Sequence, residues 1–440
     1  MYTNKQIWNV SFPILLSLLA QNIINVTDTA FLGRVSEVAL GASAMGGLFY
    51  ICIFTVAFGF STGSQIMIAR RNGEKQYAEV GPVMIQGILF LTAIAFIVFG
   101  FTRLFGGNIM KVIVSSDNIY NATMEYIHWR VFGFFFAFIN VMFRAFYIGT
   151  TRTKVLTINA VVMALTNVIL DYALIFGEFG LPAMGIKGAA IASVIAEASS
   201  IVFFLIYTYA TVNMKKYGLT SFHSFNAKLL MRILNISCFT MLQYFLSIAT
   251  WFAFFAAIER LGERELAVAN IVRSIYVVLM IPVSSLSTAT NSLVSNAIGS
   301  GGVDHVMPLI KKIMKMSFLI MLSCVTIVGI FPKAIVSIYT NEAILINHSV
   351  SAVYVVIIAM LVASVANIIF SGISGTGNTR SALMIESITL IIYMLYVFII
   401  GIWLRSPVDI CFTIEILYYS LILIASYIYF KKGKWQNKRI

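Results

Sequence analysis

Asp28 sits where an acid is costly, inside the long apolar run from Phe12 to Arg34. Ser17, Gln21 and Asn25 precede it at spacings that put all four in one narrow sector of a helix, with Leu16, Leu19, Ile23, Val26 and Ala30 on the opposite side. A carboxylate inside a membrane span is expensive unless it faces protein or water, so it marks a functional position. Asn167 and Asp171 form a second polar pair in TNVILDYALIFG, four residues apart and therefore on one helical face. Asp28 lies near the end of its run at Leu32, and Asp171 lies near Gly177. At about 1.5 Å of rise per residue the two acids fall at nearly the same depth. Such a cluster can hold a proton between two carboxylates. Its oxygens can equally ligate Na⁺, a hard cation that takes carboxylate, amide and hydroxyl ligands. The competing reading is a static hydrogen-bond network between helices.

The elements that carry these residues follow from composition. The chain has 440 residues, 60% hydrophobic and 11% charged, and no soluble core shelters so much apolar surface. An all-α integral membrane protein is expected. Runs of about 20 apolar residues give twelve transmembrane helices, beginning near Ile7, Leu40, Val83, Tyr120, Lys154, Ile186, Arg232, Glu265, Leu309, Ile346, Ser381 and Val408. The N-terminus lacks a small-residue cleavage pattern, so the first run is read as retained. The net charge of +13 concentrates in loops on one side and in the tail from Lys431 to Arg439. By the positive-inside rule both termini are then cytoplasmic. The basic excess reports topology and attraction to the lipid bilayer, and it calls for no nucleic acid.

An internal repeat holds at one spacing. Asn9-Val10-Ser11 matches Asn235-Ile236-Ser237, Tyr50 matches Tyr276, Gly73 matches Gly299, and Gly149-Thr150 matches Gly375-Thr376, each 226 residues apart. Two pseudo-symmetric six-helix lobes of like orientation are expected, the N-lobe at 1–213 and the C-lobe at 228–440, joined by a cytoplasmic linker at 214–227. Positions 226 residues after Asp28, Asn167 and Asp171 are Phe254, Tyr393 and Val397. Any coupling site therefore belongs to the N-lobe.

The other polar residues carry less specific signals. Glu197 lies mid-span and could border the same cavity or simply pack. Glu386 and Glu415 are expected to cap or snorkel near span ends. Arg144 is expected to tie helices or lipid phosphates, and Arg130 to pair with Glu125 or loop acids. The small-residue stretch 284–296 reads as close helix packing, with Asn291 and Asn296 as pathway candidates. The four cysteines lack metal spacing and a disulfide framework. His128, His223, His305 and His348 lack paired metal spacing, and no nucleotide-binding loop is present. Thus no enzyme chemistry, cofactor or nucleotide is expected.

Several stretches together resemble the multidrug and toxic compound extrusion (MATE) family, in its DinF-like branch, over essentially the whole length. They are FPILLSLLAQNIINVTDTAFLGR with Pro13 and Asp28, FRAFYIGTTRTK, TNVILDYALIFG, GIKGAAIASVIAE, QIMIARRNG and SLVSNAIG. The resemblance implies twelve helices in two lobes around a central cavity, and alternating access. Asp28, Asn167 and Asp171 would form the cation-coupling site, with possible Na⁺ bound there. Gln21, Asn25, Ser193 and Glu197 are secondary candidates, and Pro13 would bend the first helix on protonation of Asp28. Gln243 and Ser247 stand where other branches use an acid in the seventh span, which makes an Na⁺ site in the C-lobe doubtful. The expected function is secondary antiport across the inner membrane by a monomer, exporting a small organic substrate, cationic or amphipathic, against H⁺ or Na⁺. The alternatives are a lipid-linked saccharide flippase of the same superfamily and a membrane-embedded enzyme or receptor.

Overall fold

The computed structural model describes residues 2–220, 225–433 and 435–436. His223, part of the expected linker at 214–227, and tail residues Lys434, Lys438 and Arg439 lie outside the described residues. Among the described residues the regular structure is all helical, without strands. In chain order the helices are α1 (Asn4–Val35), α2 (Glu37–Gly73), α3 (Val80–Ile113), α4 (Asp117–Arg130), α5 (Gly133–Gly149), α6 (Lys154–Phe176) and α7 (Ile186–Thr211). They continue with α8 (Ala227–Glu259), α9 (Glu263–Gly299), α10 (Val306–Ile330), α11 (Pro332–Val336), α12 (Ala343–Gly375), α13 (Thr379–Tyr396) and α14 (Val408–Lys432). Eleven of the described helices are long and apolar enough to cross a membrane, and α4 with α5, bent by 53°, pass the same test together.

That bend falls within the fourth span expected to begin near Tyr120. No proline lies there. The break falls at Val131 and Phe132, between Arg130 and Gly133, and its cause is tertiary, as described below.

Local chemistry sets several ends. Ser36 starts α2 by accepting the Ala39 amide at 3.0 Å, as a helix N-cap does. Gly177 stops α6 in the left-handed region at φ +79, with its N–H on the Ala173 carbonyl at 3.0 Å, a conformation that favours glycine.

The chain forms two compact units, Phe12–Met241 and Met1–Ser11 with Leu242–Ile440. Within Phe12–Met241, α6 and α7 form a tight antiparallel pair, α2 packs on α4 and α5, and α3 packs on α5. Ser237 of α8 donates its hydroxyl to the Phe60 carbonyl at 3.0 Å, and Thr240 donates to that of Gly59 at 2.6 Å. The backbones approach so closely at Gly59 and Gly63 that a Cβ there would overlap Met241 and Ser237. Small residues thus let side-chain hydroxyls reach main-chain oxygens, a common membrane packing device. In the second unit, α12 is the central helix, packed on α14, α9 and α10. The hydroxyl-rich end of α9 is buried there, with Ser285 donating to the Ser11 carbonyl at 2.6 Å.

Candidate functional site

A cavity of about 370 Å³ opens within the Phe12–Met241 unit, the size range of small-molecule sites. The α1 stripe of Ser17, Gln21, Asn25 and Asp28 forms one wall. Asn167 from α6, and Ser193 and Glu197 from α7, line it from the other side, with Tyr50, Phe54 and Phe58 of α2 between. Asp171 is fully buried (0% exposed), one turn beyond Asn167 on α6. Pro13 lies inside α1, and its carbonyl accepts the Thr157 hydroxyl of α6 at 3.3 Å.

The polar atoms around the two acids lack partners. Asp28 Oδ1, both oxygens of Asp171 and both side-chain polar atoms of Asn167 are buried without a hydrogen bond. Buried polar atoms are ordinarily satisfied, and leaving one unmade costs about 1–3 kcal/mol. Five such atoms on three residues thus stand together with no protein group answering them. A proton shared by the carboxyls, or an oxygen-ligated cation, answers that set.

Next to it stands a closed ion pair. Arg130 Nη2 and Nη1 donate to Glu197 Oε1 and Oε2 at 2.6 and 2.9 Å. Tyr50 also donates to Oε1 at 2.9 Å, and the guanidinium lies 3.7 Å from the centre of the Tyr50 ring. That ring stacks on Phe134 at 4.5 Å. Arg130 is thus paired across the bundle with Glu197, correcting the expected pairing with Glu125 or loop acids. Its position as the last residue of α4 puts a cation at a helix C-terminus, which is favourable. The chain then has to turn so that α5 can bring Asn140 Nδ2 to the Glu197 carbonyl at 2.9 Å. Gly133 makes room at the elbow, since a Cβ there would lie 2.5 Å from Glu197 Oε2. Gly133→Ala is expected to lower stability by about 1–3 kcal/mol, the cost of overpacking. A melting curve compared with wild type checks this, and an unchanged midpoint would remove the elbow from the account.

Below the pair, the Ser200 hydroxyl lies 3.0 Å from Asn140 Oδ1 and 2.9 Å from Asn159 Oδ1. Arg144, one turn beyond Asn140 on α5, also lines the cavity. Of the two expected roles, it does not tie helices among the described residues.

The C-terminal half holds a different polar cluster. Glu415 accepts the Tyr393 hydroxyl at 2.9 Å, and that of Tyr276 at 3.5 Å, the limit of hydrogen-bonding distance. Glu386 accepts from Tyr418 at 2.7 Å and from Ser247 at 2.8 Å. Both acids are only 3% exposed, so neither caps a helix end nor snorkels. The donors come from α8, α9, α13 and α14, which explains why the sequence hid them. Tyr276 is the repeat partner of Tyr50, and each donates to a buried glutamate of the last helix of its half. The residue 226 positions after Arg130 is Val356, so this second glutamate has no arginine from the repeat. Asn296 binds its own helix at the Ser292 carbonyl, 2.9 Å away.

Comparison with known proteins agrees with this architecture. The MatE family model matches residues 13–173 and 224–399. The probable multidrug resistance protein NorM of Thermotoga maritima is 23% identical, covering 99% of this chain and 94% of its own. The probable multidrug resistance protein YoeA of Bacillus subtilis is 22% identical over 75% of this chain and 72% of its own. Among solved structures, an outward-facing multidrug resistance MATE family transporter of the MOP superfamily superposes with TM-score 0.88 at 17% identity, over 99% of this chain and 97% of its own. A MOP superfamily transporter from Pyrococcus furiosus, described as having a binding pocket of reverse polarity, gives 0.87 at 16% identity over 99% and 97%.

Proposed function

This chain belongs to the MatE family, and from that premise we propose that it works as a secondary antiporter, exporting amphipathic or cationic organic compounds in exchange for H⁺ or Na⁺. It is a multi-pass membrane transporter of the multidrug efflux kind, not an enzyme. The proposed setting is the plasma membrane, with both termini cytoplasmic, a monomer as the working unit, and the two lobes expected from the repeat.

The observation that carries the antiport is the set of unpartnered atoms on Asp28, Asp171 and Asn167 beside a cavity of ligand size. A proton or Na⁺ that satisfies those atoms changes what holds α1 and α6 together. Substrate in the cavity meets the same α1 wall through Ser17, Gln21 and Asn25. Two ligands that each favour a different arrangement of one wall become mutually unfavourable, and linkage makes that effect reciprocal. Pro13 is where α1 yields in this proposal, because its ring removes one helix hydrogen bond.

The test is dye efflux from proteoliposomes holding the purified protein, under an imposed pH gradient or an imposed Na⁺ gradient. Efflux driven by one gradient supports antiport and identifies the ion. Efflux indifferent to both would refute it.

A further inference from the structure

Arg144 is the cation on the cavity wall for which the N-lobe supplies no counter-charge. Among the described residues it makes no hydrogen bond, ion pair or stacking contact with an aromatic ring. Arg130, by contrast, is closed by Glu197 and Tyr50. Arg144 is partly buried on α5 and lines the cavity together with Leu156 and Phe204. A guanidinium presents a planar fork of donors that matches a carboxylate in two parallel hydrogen bonds. Leaving such a charge unpaired inside a bundle is costly unless water or a ligand answers it.

The neighbouring charges do not forbid an anion there. Glu197 is neutralised by its own arginine. The acids lie far off along the cavity: Asn159, level with Asn140 through Ser200, is twelve residues before Asp171 on α6, about 18 Å of helix rise. α5 carries Arg144 a further turn away from the α4 junction. Coulomb interaction falls with distance, and with Glu197 held by Arg130 this leaves Arg144 as the unanswered formal charge at its end of the cavity.

We propose that Arg144 docks a carboxylate on the transported compound, so that this cavity prefers organic ligands bearing a carboxylate over otherwise identical ligands in which that charge is masked. The aromatic body of such a ligand has Phe54, Phe58 and Phe204 to pack against. This inference rests on the reading of the cavity as the transport site.

Tetramethylrhodamine, with its free carboxylate, and its methyl ester form a matched pair. Binding of each to the full-length purified protein is read by fluorescence polarisation. Wild type is expected to bind the acid about tenfold more tightly, the order of one charge-assisted pair. Arg144→Gln is expected to bring that ratio close to one while leaving ester affinity within about twofold. Arg144→Lys keeps the charge but loses the fork, so it retains part of the preference, and it serves if the Gln variant does not fold. A wild-type ratio near one, or equal loss of both dyes in the variants, overturns the assignment. Gradient-driven efflux with a ratio near one would sink this inference alone. A preserved ratio without gradient-driven efflux would instead sink the antiporter.

Discussion

Asn in place of Asp28 is expected to abolish gradient-driven efflux while the protein still folds. The substitution keeps the size and hydrogen-bonding shape of the side chain and removes its ability to take up a proton or to balance a cation. Coupling between two ligands amounts to about 1–3 kcal/mol, or roughly 5- to 150-fold in affinity. Removing the group that carries it should therefore leave efflux at the level of empty vesicles. Asp171→Asn should do the same, because in the proposed site the two carboxyls answer one proton or one cation and form one unit whose losses do not add. Dye binding without a gradient should survive in both. A well-folded Asp28→Asn protein that still answers a gradient would reduce the two acids to ties between helices.

Breaking the ion pair is expected to have the largest effect on stability. Arg130→Ala leaves the Glu197 carboxylate buried with only the Tyr50 hydroxyl and whatever water enters. Loss of one partner from a buried pair costs about 3–5 kcal/mol, mostly through the charge left behind. Glu197→Gln should cost less than Arg130→Ala, because Arg130 keeps the Tyr50 ring 3.7 Å from its guanidinium. The double variant Arg130→Ala with Glu197→Gln should recover part of the loss, since no uncompensated charge remains. Melting midpoints of the single and double variants measure that coupling directly. Losses that simply add would mean the two residues act independently.

How much of this could be read from the chain alone depends on the kind of signal each residue gives. A lone acid among leucines is conspicuous, and the helical spacing of Ser17, Gln21, Asn25 and Asp28 shows which way it faces. Asn167 and Asp171 repeat the signal, and the cavity has Asn167 on its wall. Pairings across long stretches of chain leave no such trace. Arg130 and Glu197 are 67 residues apart, and nothing in either local pattern names the other. The bend between α4 and α5 was equally hidden, since no proline marks it and its cause is a contact with a distant helix. The tyrosine ring around Glu386 and Glu415 is assembled from four helices. In sequence each acid is simply near a span end, where capping is the cheaper explanation.

The tyrosine–glutamate contact of each half says something about descent. If one six-helix unit was doubled to make this chain, Tyr50 and Tyr276 keep the register of the doubling, but their acids do not: Glu415 lies 218 residues after Glu197, and Leu423 stands at the 226-residue spacing. The halves also differ in what surrounds the acid. One gained or kept an arginine, and the other, with Val356 at that place, is held by phenolic hydroxyls alone. The halves have become unlike parts. A chimera of two N-terminal halves would carry the Asp28–Asp171 pair twice, and one of two C-terminal halves would have Phe254 and Val397 there and no such pair at all.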